Sequence, residues 1–390
     1  MSLIATQINR KKSILILHNG YLHSGGEDSC VDNEISALSE ISDFQISQLR
    51  TKTIGTWQDM ANAVFSPLGL GLESILEKQL RIDKPDILHV HNLYPQFSPR
   101  MFKIAKQIGV KTVLTLHNYR PLCLNGLCLT PKKEVCERCA GGNFWHGIIR
   151  GCYRGSRLQS SGLATHLHLS QREGWYDFVD CFIAPSEFLR RKYSHYNYPA
   201  ERIVVQGHFL PHMPIEDPFP PEPYLLYLGR LSEEKGVPWL LDVFSQPLYP
   251  IQLKIAGKGP LEKDVSEKVS SSIDYIGYIE GDVKEQWIRR ATALVLPSDC
   301  YENFPMIVGE ANAWGVPVIV ANHGAMPEMI VPGLNGESYN PHDQASFWDT
   351  VNRLLQRNTM EHRKRCQEYA RETFSKKKFQ DRRILLYKKI

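Results

Sequence analysis

Pro297-Ser-Asp-Cys-Tyr-Glu302-Asn-Phe-Pro-Met-Ile-Val-Gly-Glu310-Ala-Asn-Ala-Trp-Gly-Val-Pro317 is the stretch on which the reading of this sequence turns. The apolar runs Ala293–Leu296 before it and Val318–Val320 after it predict strand, loop, helix and strand in succession. A helix beginning near Phe304 aims unbonded backbone N–H groups and about half a positive charge at whatever lies beyond the strand end, a seat for phosphate oxygens. Glu302 falls just outside that helix. Glu310, about two turns further on, can share its face and accept hydrogen bonds from ribose hydroxyls. The plain alternatives are a capping carboxylate for Glu302 and a surface residue for Glu310.

Upstream, the same rhythm of short apolar runs and longer amphipathic ones repeats. Tyr224–Leu228 leads into Gly229-Arg-Leu-Ser-Glu-Glu-Lys235-Gly236. There two glycines permit close approach of the backbone, and Arg230 and Lys235 bring two cations to a strand end. Gln252–Ala256 leads into the Gly257-Lys-Gly-Pro260 turn, and Ile273–Tyr278 contains Ile276-Gly-Tyr278. Each turn alone is commonplace. Together they give successive strands whose ends leave room for a ligand, as the carboxyl ends of an open parallel sheet do.

The first half repeats the pattern with strands at Ser13–Asn19, Ile87–His91, Thr112–His117 and Cys181–Ala184, and helices at Asp28–Glu40 and Ser98–Ile108. Between the halves, His212–Pro223 is rich in prolines, which lack a donor N–H and cannot continue a helix or a central strand. The chain of 390 residues exceeds the ~250–300 at which a single core stops growing. The expected fold is therefore α/β, two Rossmann-like doubly wound domains facing a central cleft. The expected divisions are 1–211, a linker at 212–223, 224–372, and a C-terminal helix over 373–390 that crosses back to the first domain.

Hydrophobic residues make up 42% and charged residues 23%, the balance of an ordinary globular protein. A net charge of +4 is too small to predict a nucleic-acid binder. The first twelve residues have no apolar core of a signal peptide, and no stretch approaches ~20 apolar residues. The expected location is cytoplasmic. A peripheral contact with the inner membrane face stands as an alternative, carried by Phe188-Leu-Arg-Arg-Lys-Tyr193 and the basic C-terminus.

The spacing of Glu302 and Glu310, the string Gly229–Gly236, the Ala256–Pro260 turn, and the later Gly324-Ala-Met-Pro-Glu328 and Gly333-Leu-Asn-Gly336 resemble glycosyltransferase family 4, in the expected order over most of residues 222–340. The resemblance implies the GT-B fold and retaining transfer of a sugar, most simply a hexose, from a nucleotide sugar to a hydroxyl of a glycan, a lipid-linked glycan or a small molecule. It implies catalytic roles for Glu302, His117, Arg230 and Lys235. On the donor side it implies Gly25 and Gly26, which resemble the family's Gly-rich loop, with Gly229, Gly257, Ile276, Tyr278, Asn303, Phe304, Pro305, Met306, Ile307 and Glu310. His91 and Asn92, at another strand end, are assigned to the acceptor side. No Asp-x-Asp motif for a divalent ion occurs in the sequence. The expected chemistry therefore needs no cofactor, the positive groups serving the leaving diphosphate.

The sequence has nine cysteines, five of them within the loop expected over 119–156. Cys136 and Cys139 form a C-x2-C pair, flanked at equal spacing by Cys123 and Cys152. Four thiolates at this spacing predict a structural zinc site; reduced thiols or a redox pair are the alternatives. Competing readings of the whole chain are a nucleotide-sugar epimerase, a phosphorylase, or a Cys-rich nucleic-acid module that leaves the second half unexplained.

Overall fold

The computed structural model describes residues 10–20, 25–54, 56–70, 72–246, 248 and 250–390. Within them, twelve strands form two parallel six-stranded sheets. The first comprises β1 (Lys12–Gly20), β2 (Phe44–Lys52), β3 (Ile87–Asn92), β4 (Lys111–Thr115), β5 (Cys181–Ala184) and β6 (Ile203–Val205), in the order β2-β1-β3-β4-β5-β6. The second comprises β7 (Glu222–Leu228), β8 (Gln252–Ala256), β9 (Ile273–Gly277), β10 (Ala291–Leu296), β11 (Val318–Ala321) and β12 (Gly336–Tyr339), in the order β12-β11-β10-β7-β8-β9. The strands β3, β5, β10 and β11 are buried throughout, because helices cover both faces of a parallel sheet and leave no wet side.

The structure adds three strands beyond those expected from the sequence, β2, β6 and β12, and all three lie at sheet edges, β6 being only the three residues Ile203-Val-Val205. An edge strand needs no continuous apolar run, and along β2 only Phe44 is buried, with Ile46, Leu49 and Thr51 half-buried between exposed residues. The strand expected to reach His117 ends at Thr115, although Leu116 N–H still bonds to the Ile183 carbonyl at 2.8 Å. The helix expected near Phe304 begins at Met306, after Pro305. The proline-rich stretch has no regular structure from residue 206 to 221, and β7 starts at Glu222.

Each sheet has a topological switch point where neighbouring strands send their connections in opposite directions. In the first sheet this lies between β1 and β3, in the second between β7 and β10. Crevices form there beyond the strand ends. Gly25 and Gly26, Gly229–Lys235 and Glu302–Ile307 follow β1, β7 and β10, whereas His117, Gly257 and Tyr278 follow the neighbouring strands β4, β8 and β9.

The Lys376–Lys389 helix returns to the first sheet. Its Tyr387 is buried with the ring centroid 5.5 Å from Phe44, and its hydroxyl is 2.7 Å from His89 Nδ1. Arg383 Nη2 donates to Glu34 Oε2 at 3.0 Å and lies 2.9 Å from its Oε1, with the two side chains 1% and 2% exposed. A charge removed from water this completely is tolerated only with its partner, so losing one member costs about 3–5 kcal/mol. Arg383→Ala is expected to lower the unfolding free energy by about that amount in urea titrations, and the double replacement Glu34→Gln/Arg383→Met by less. A single-variant loss below ~1 kcal/mol, the range of an exposed pair, would count against this brace.

Candidate functional site

A cleft of about 1420 Å³ opens between the two sheets and is lined from both. From the first sheet come Gly25, Gly26, His117 and His208; from the second come Gly229, Arg230, Lys235, Gly257, Lys258, Tyr278 and the run Glu302–Ile307. The sequence-selected residues of the second half are thus gathered at one place, with two exceptions. Ile276 packs against the hydrophobic core, and Glu310 pairs with Lys284 at 2.7 Å, Lys284 being the one of the two that lines the cleft.

At the centre Lys235 Nζ donates to Glu302 Oε1 at 2.6 Å, and Ser298 Oγ donates to the same oxygen at 2.7 Å. The backbone sets this up. The carbonyl of Glu234 accepts from the N–H groups of Asp299 and Cys300 at 3.0 and 3.2 Å, which laces the turn after β7 to the loop after β10. Gly236 closes that turn with φ +71°, and a Cβ there would fall 1.9 Å from the Pro297 carbonyl oxygen, so no other residue fits. Burial pulls the Lys235 pKa down, but the adjacent Glu302 carboxylate outweighs it and the net shift is upward. Burial likewise pushes Glu302 up, yet Lys235 and Ser298 bring its carboxyl below the ordinary value. Both groups are charged at neutral pH.

The Met306–Ala313 helix starts behind Glu302 without a side-chain cap, so its first N–H groups point at the cleft. Lys258, which lies within the Gly257–Pro260 turn without being singled out there, is 4.2 Å from the centre of the Tyr278 ring and joins Arg230, Lys235 and Lys284 on the wall.

On the opposite wall, Gly25 and Gly26 open the Gly26–Ser39 helix. Asp28 fixes this start: its Oδ2 accepts from Gly25 N–H at 3.1 Å and its Oδ1 is 2.8 Å from His18 Nε2. Tyr21–Ser24, which precede these glycines in the sequence, lie outside the described residues. His117 shares a 2.8 Å hydrogen bond with His91 and stacks on His208, which meets Phe304 edge-on across the cleft. The His117 carbonyl accepts from Asn303 Nδ2 at 2.6 Å, a bond from one half of the protein to the other. His91 and Asn92, assigned to the acceptor side, do not line the large cleft. They are buried behind His117, where Asn92 Nδ2 donates to the Asn19 carbonyl at 2.8 Å.

The loop after β4 is tied to the segment beside Glu302 through Glu137. Its carboxylate accepts from Lys192 at 2.6 Å, Tyr196 at 2.7 Å and Tyr301 at 2.9 Å, and Tyr301 adjoins Glu302 in the chain. Neither Glu137 nor Tyr301 stands out in the sequence, where a Glu between two cysteines carries no spacing signal of its own. The flanking cysteines are free thiols. A four-thiolate zinc cage needs sulfurs about 3.8 Å apart, from Zn–S bonds near 2.3 Å. Among the described residues the one group of three or more metal-ligating atoms within 4.8 Å of one another is Glu34, His89 and His91, which includes no thiol. As placed, Cys123, Cys136, Cys139 and Cys152 therefore do not fit the cage. Cys123 is engaged instead by the Cys128 thiol and by nearby backbone amides, which lower its pKa to about 6 despite burial.

The Phe188–Tyr193 segment is likewise consumed within the molecule. Phe188 N–H and Arg191 bind Glu328 at 2.9 and 2.5 Å, and Lys192 binds Glu137. Among the C-terminal lysines, Lys376, Lys377 and Lys388 pair with Glu40, Asp381 and Asp43.

Two family models match the chain: glycosyl transferases group 1 over residues 212–373, and glycosyltransferase family 4 over residues 61–209. A lipopolysaccharide 1,6-galactosyltransferase of Salmonella typhimurium is 35% identical over 140 residues, covering 33% of this chain and 39% of that protein. The first curated relatives are likewise matched over only 33–46% of their own length. The solved structure of the lipopolysaccharide outer core galactosyltransferase WaaB superposes with a TM-score of 0.67 at 17% identity, covering 97% of this chain and all of that one. Anabaena HepE in complex with UDP gives the same score at 15% identity, with 97% and 100% covered. The shared fold is GT-B.

The histidines at and behind the cleft wall predict a pH effect. Burial holds His91 and His117 well below the ordinary imidazole value and His208 down at about 4, so all three are neutral at pH 7. In the unfolded chain they protonate near pH 6.5. Their contribution to stability is thus complete above about pH 6.5 and is lost as pH falls from there toward the folded values. The melting temperature is expected to drop between pH 7 and pH 5, and less steeply in His208→Asn. A flat profile, or an unchanged slope in the variant, would contradict this.

Proposed function

The chain belongs to the family-4 glycosyltransferases of the GT-B fold, and on that premise we propose that it transfers a hexose from a nucleoside-diphosphate sugar to a hydroxyl acceptor. The observation that supports this reading best is the Lys235–Glu302 pair beside the uncapped helix start at Met306, with Arg230 on the same wall. Three sources of positive potential converge where a diphosphate would leave. Fixed positive groups aimed at developing negative charge commonly lower a reaction barrier more than any other single effect.

In this reading Arg230, Lys235 and the N–H groups of Met306 and Ile307 take the diphosphate. Glu302, anchored by Lys235 and Ser298, receives the sugar hydroxyls and supports the positive charge that grows at the anomeric carbon. Tyr278 and Lys258 border the base, and Glu310 reaches the ribose by exchanging its bond to Lys284. The acceptor enters from the His117 side, and its hydroxyl attacks the face from which the diphosphate departs, giving up its proton to a donor phosphate oxygen. The anomeric configuration is then retained, no carboxylate base is needed, and the protein's own cations replace a divalent ion. HepE, solved with UDP and with UDP-glucose, and the lipopolysaccharide galactosyltransferase relatives make a UDP-hexose the first donor to test.

A panel of nucleotide sugars, each at about 100 times its Kd, is expected to yield one donor that stabilises the fold by ~2.7 kcal/mol. Inorganic phosphate alone would do so for a phosphorylase. With that donor, Glu302→Gln and Lys235→Ala are each expected to reduce turnover at least ~10²-fold, some 2.7 kcal/mol of transition-state stabilisation, with folding intact. Near-normal rates in both variants would refute the site.

A further inference from the structure

Residues 138–172 contain five arginines and no aspartate or glutamate. Within this acid-free run, the Trp145–Ile149 helix turns one side to the core, where Gly147 is buried and Ile148 packs on the cluster around Leu124 and Leu163. Its other side bears Trp145 and Ile149, one turn apart and 62% and 48% exposed. Leu158, 77% exposed, belongs to the same face, because its neighbour Arg157 donates from Nε to the Ile149 carbonyl at 2.9 Å. Arg150 and Arg154 are exposed between the two helices.

Three exposed apolar side chains, one of them tryptophan, and three arginines, all within a run that contains no carboxylate, have the composition of an interfacial anchor. Tryptophan settles at the headgroup level, Ile and Leu enter the acyl boundary, and guanidinium groups meet lipid phosphates. A nucleic-acid surface would share the arginines but would have no use for the exposed Ile149 and Leu158.

We propose that the Trp145–Leu158 face seats this protein on an anionic lipid bilayer. This goes beyond the catalytic reading and relocates the membrane contact expected from Phe188–Tyr193 and the C-terminal lysines, whose charges are largely paired internally. A chain of contacts ties the face to the segment beside Glu302. Arg150 Nη1 is 3.6 Å from Cys136 Sγ, and the next residue, Glu137, holds Tyr301 beside Glu302. If the glycosyltransferase reading holds, an acceptor borne on a lipid would be presented near the mouth of the cleft.

Vesicle co-sedimentation tests the seating without any sugar substrate. The full chain is expected to sediment with vesicles of phosphatidylcholine mixed with phosphatidylglycerol, far less with pure phosphatidylcholine, and less as salt rises. Arg150→Gln/Arg154→Gln/Arg157→Gln should weaken the partition roughly a hundredfold, and Trp145→Ala/Leu158→Ala should weaken it as well. Brominated acyl chains should quench the fluorescence of the wild type, and Trp145→Phe should remove that quenching, which keeps the test decisive if a multiple variant misfolds. Wild-type protein that stays in the supernatant with anionic vesicles, partition unchanged in the variants, or binding to duplex DNA in place of vesicles would overturn the proposal. Vesicle binding without nucleotide-sugar binding would instead count against the catalytic reading and leave this one standing.

Discussion

An ammonium and a carboxylate 2.6 Å apart, on loops that follow two different strands, set the arrangement of the second half of this protein. Lys235 arrives from the turn after β7 and Glu302 from the loop after β10, and those strands are neighbours at the sheet's switch point. Neither charge would be stable alone against the strands behind them. Held together they lose less, and each is fixed in orientation by the other. The glycine that closes the Lys235 turn, the lacing of that turn to Asp299 and Cys300, and the hydroxyl of Ser298 all serve the same short contact. What remains beside it is a wall that carries Arg230 and Lys258 and a helix start with N–H groups to offer.

The first half meets that wall through a small set of bonds that cross the cleft. Asn303 donates to the backbone of His117, Tyr301 to Glu137, and Lys133 stands 3.6 Å from Glu233. At the far side the C-terminal helix returns from the second half and buries Arg383 against Glu34. The cysteine-bearing loop also has a structural part in this. It carries Glu137 to the neighbour of Glu302 and presents the Trp145 face to solvent.

Most of the second half is legible in the sequence because its signals are local. A strand end, a glycine-lined turn and a helix start fall within ten residues of one another, so each turn can be read without knowing that the sheet places β10 beside β7. Arg230, Lys235 and Glu302–Ile307 can be placed in this way. Edge strands such as β12 cannot, since four residues with little apolar content leave no period to read. In the first half, β1, β3 and β5 are visible as apolar runs, whereas the parts that meet the cleft depend on long-range contacts. His208 follows the short edge strand β6 and gains its meaning by stacking on His117, ninety-one positions earlier in the chain. Equal cysteine spacing suggests a metal cage, but spacing along the chain does not fix how a hairpin turns its thiols. The local charge of Phe188–Tyr193 suggests a membrane face, and only the fold reveals that Glu137 and Glu328 absorb it.

Central to the proposed chemistry is a cleft in which protein cations alone seat a nucleoside diphosphate. Calorimetric titration of uridine diphosphate in excess chelator, into the wild type and into Arg230→Ala/Lys235→Ala, tests this most directly. Binding is expected to survive the chelator and to weaken at least about a hundredfold in the double variant, since charge-assisted hydrogen bonds contribute about 1.5–3 kcal/mol each. Binding abolished by the chelator, or equal in the two proteins, would contradict it.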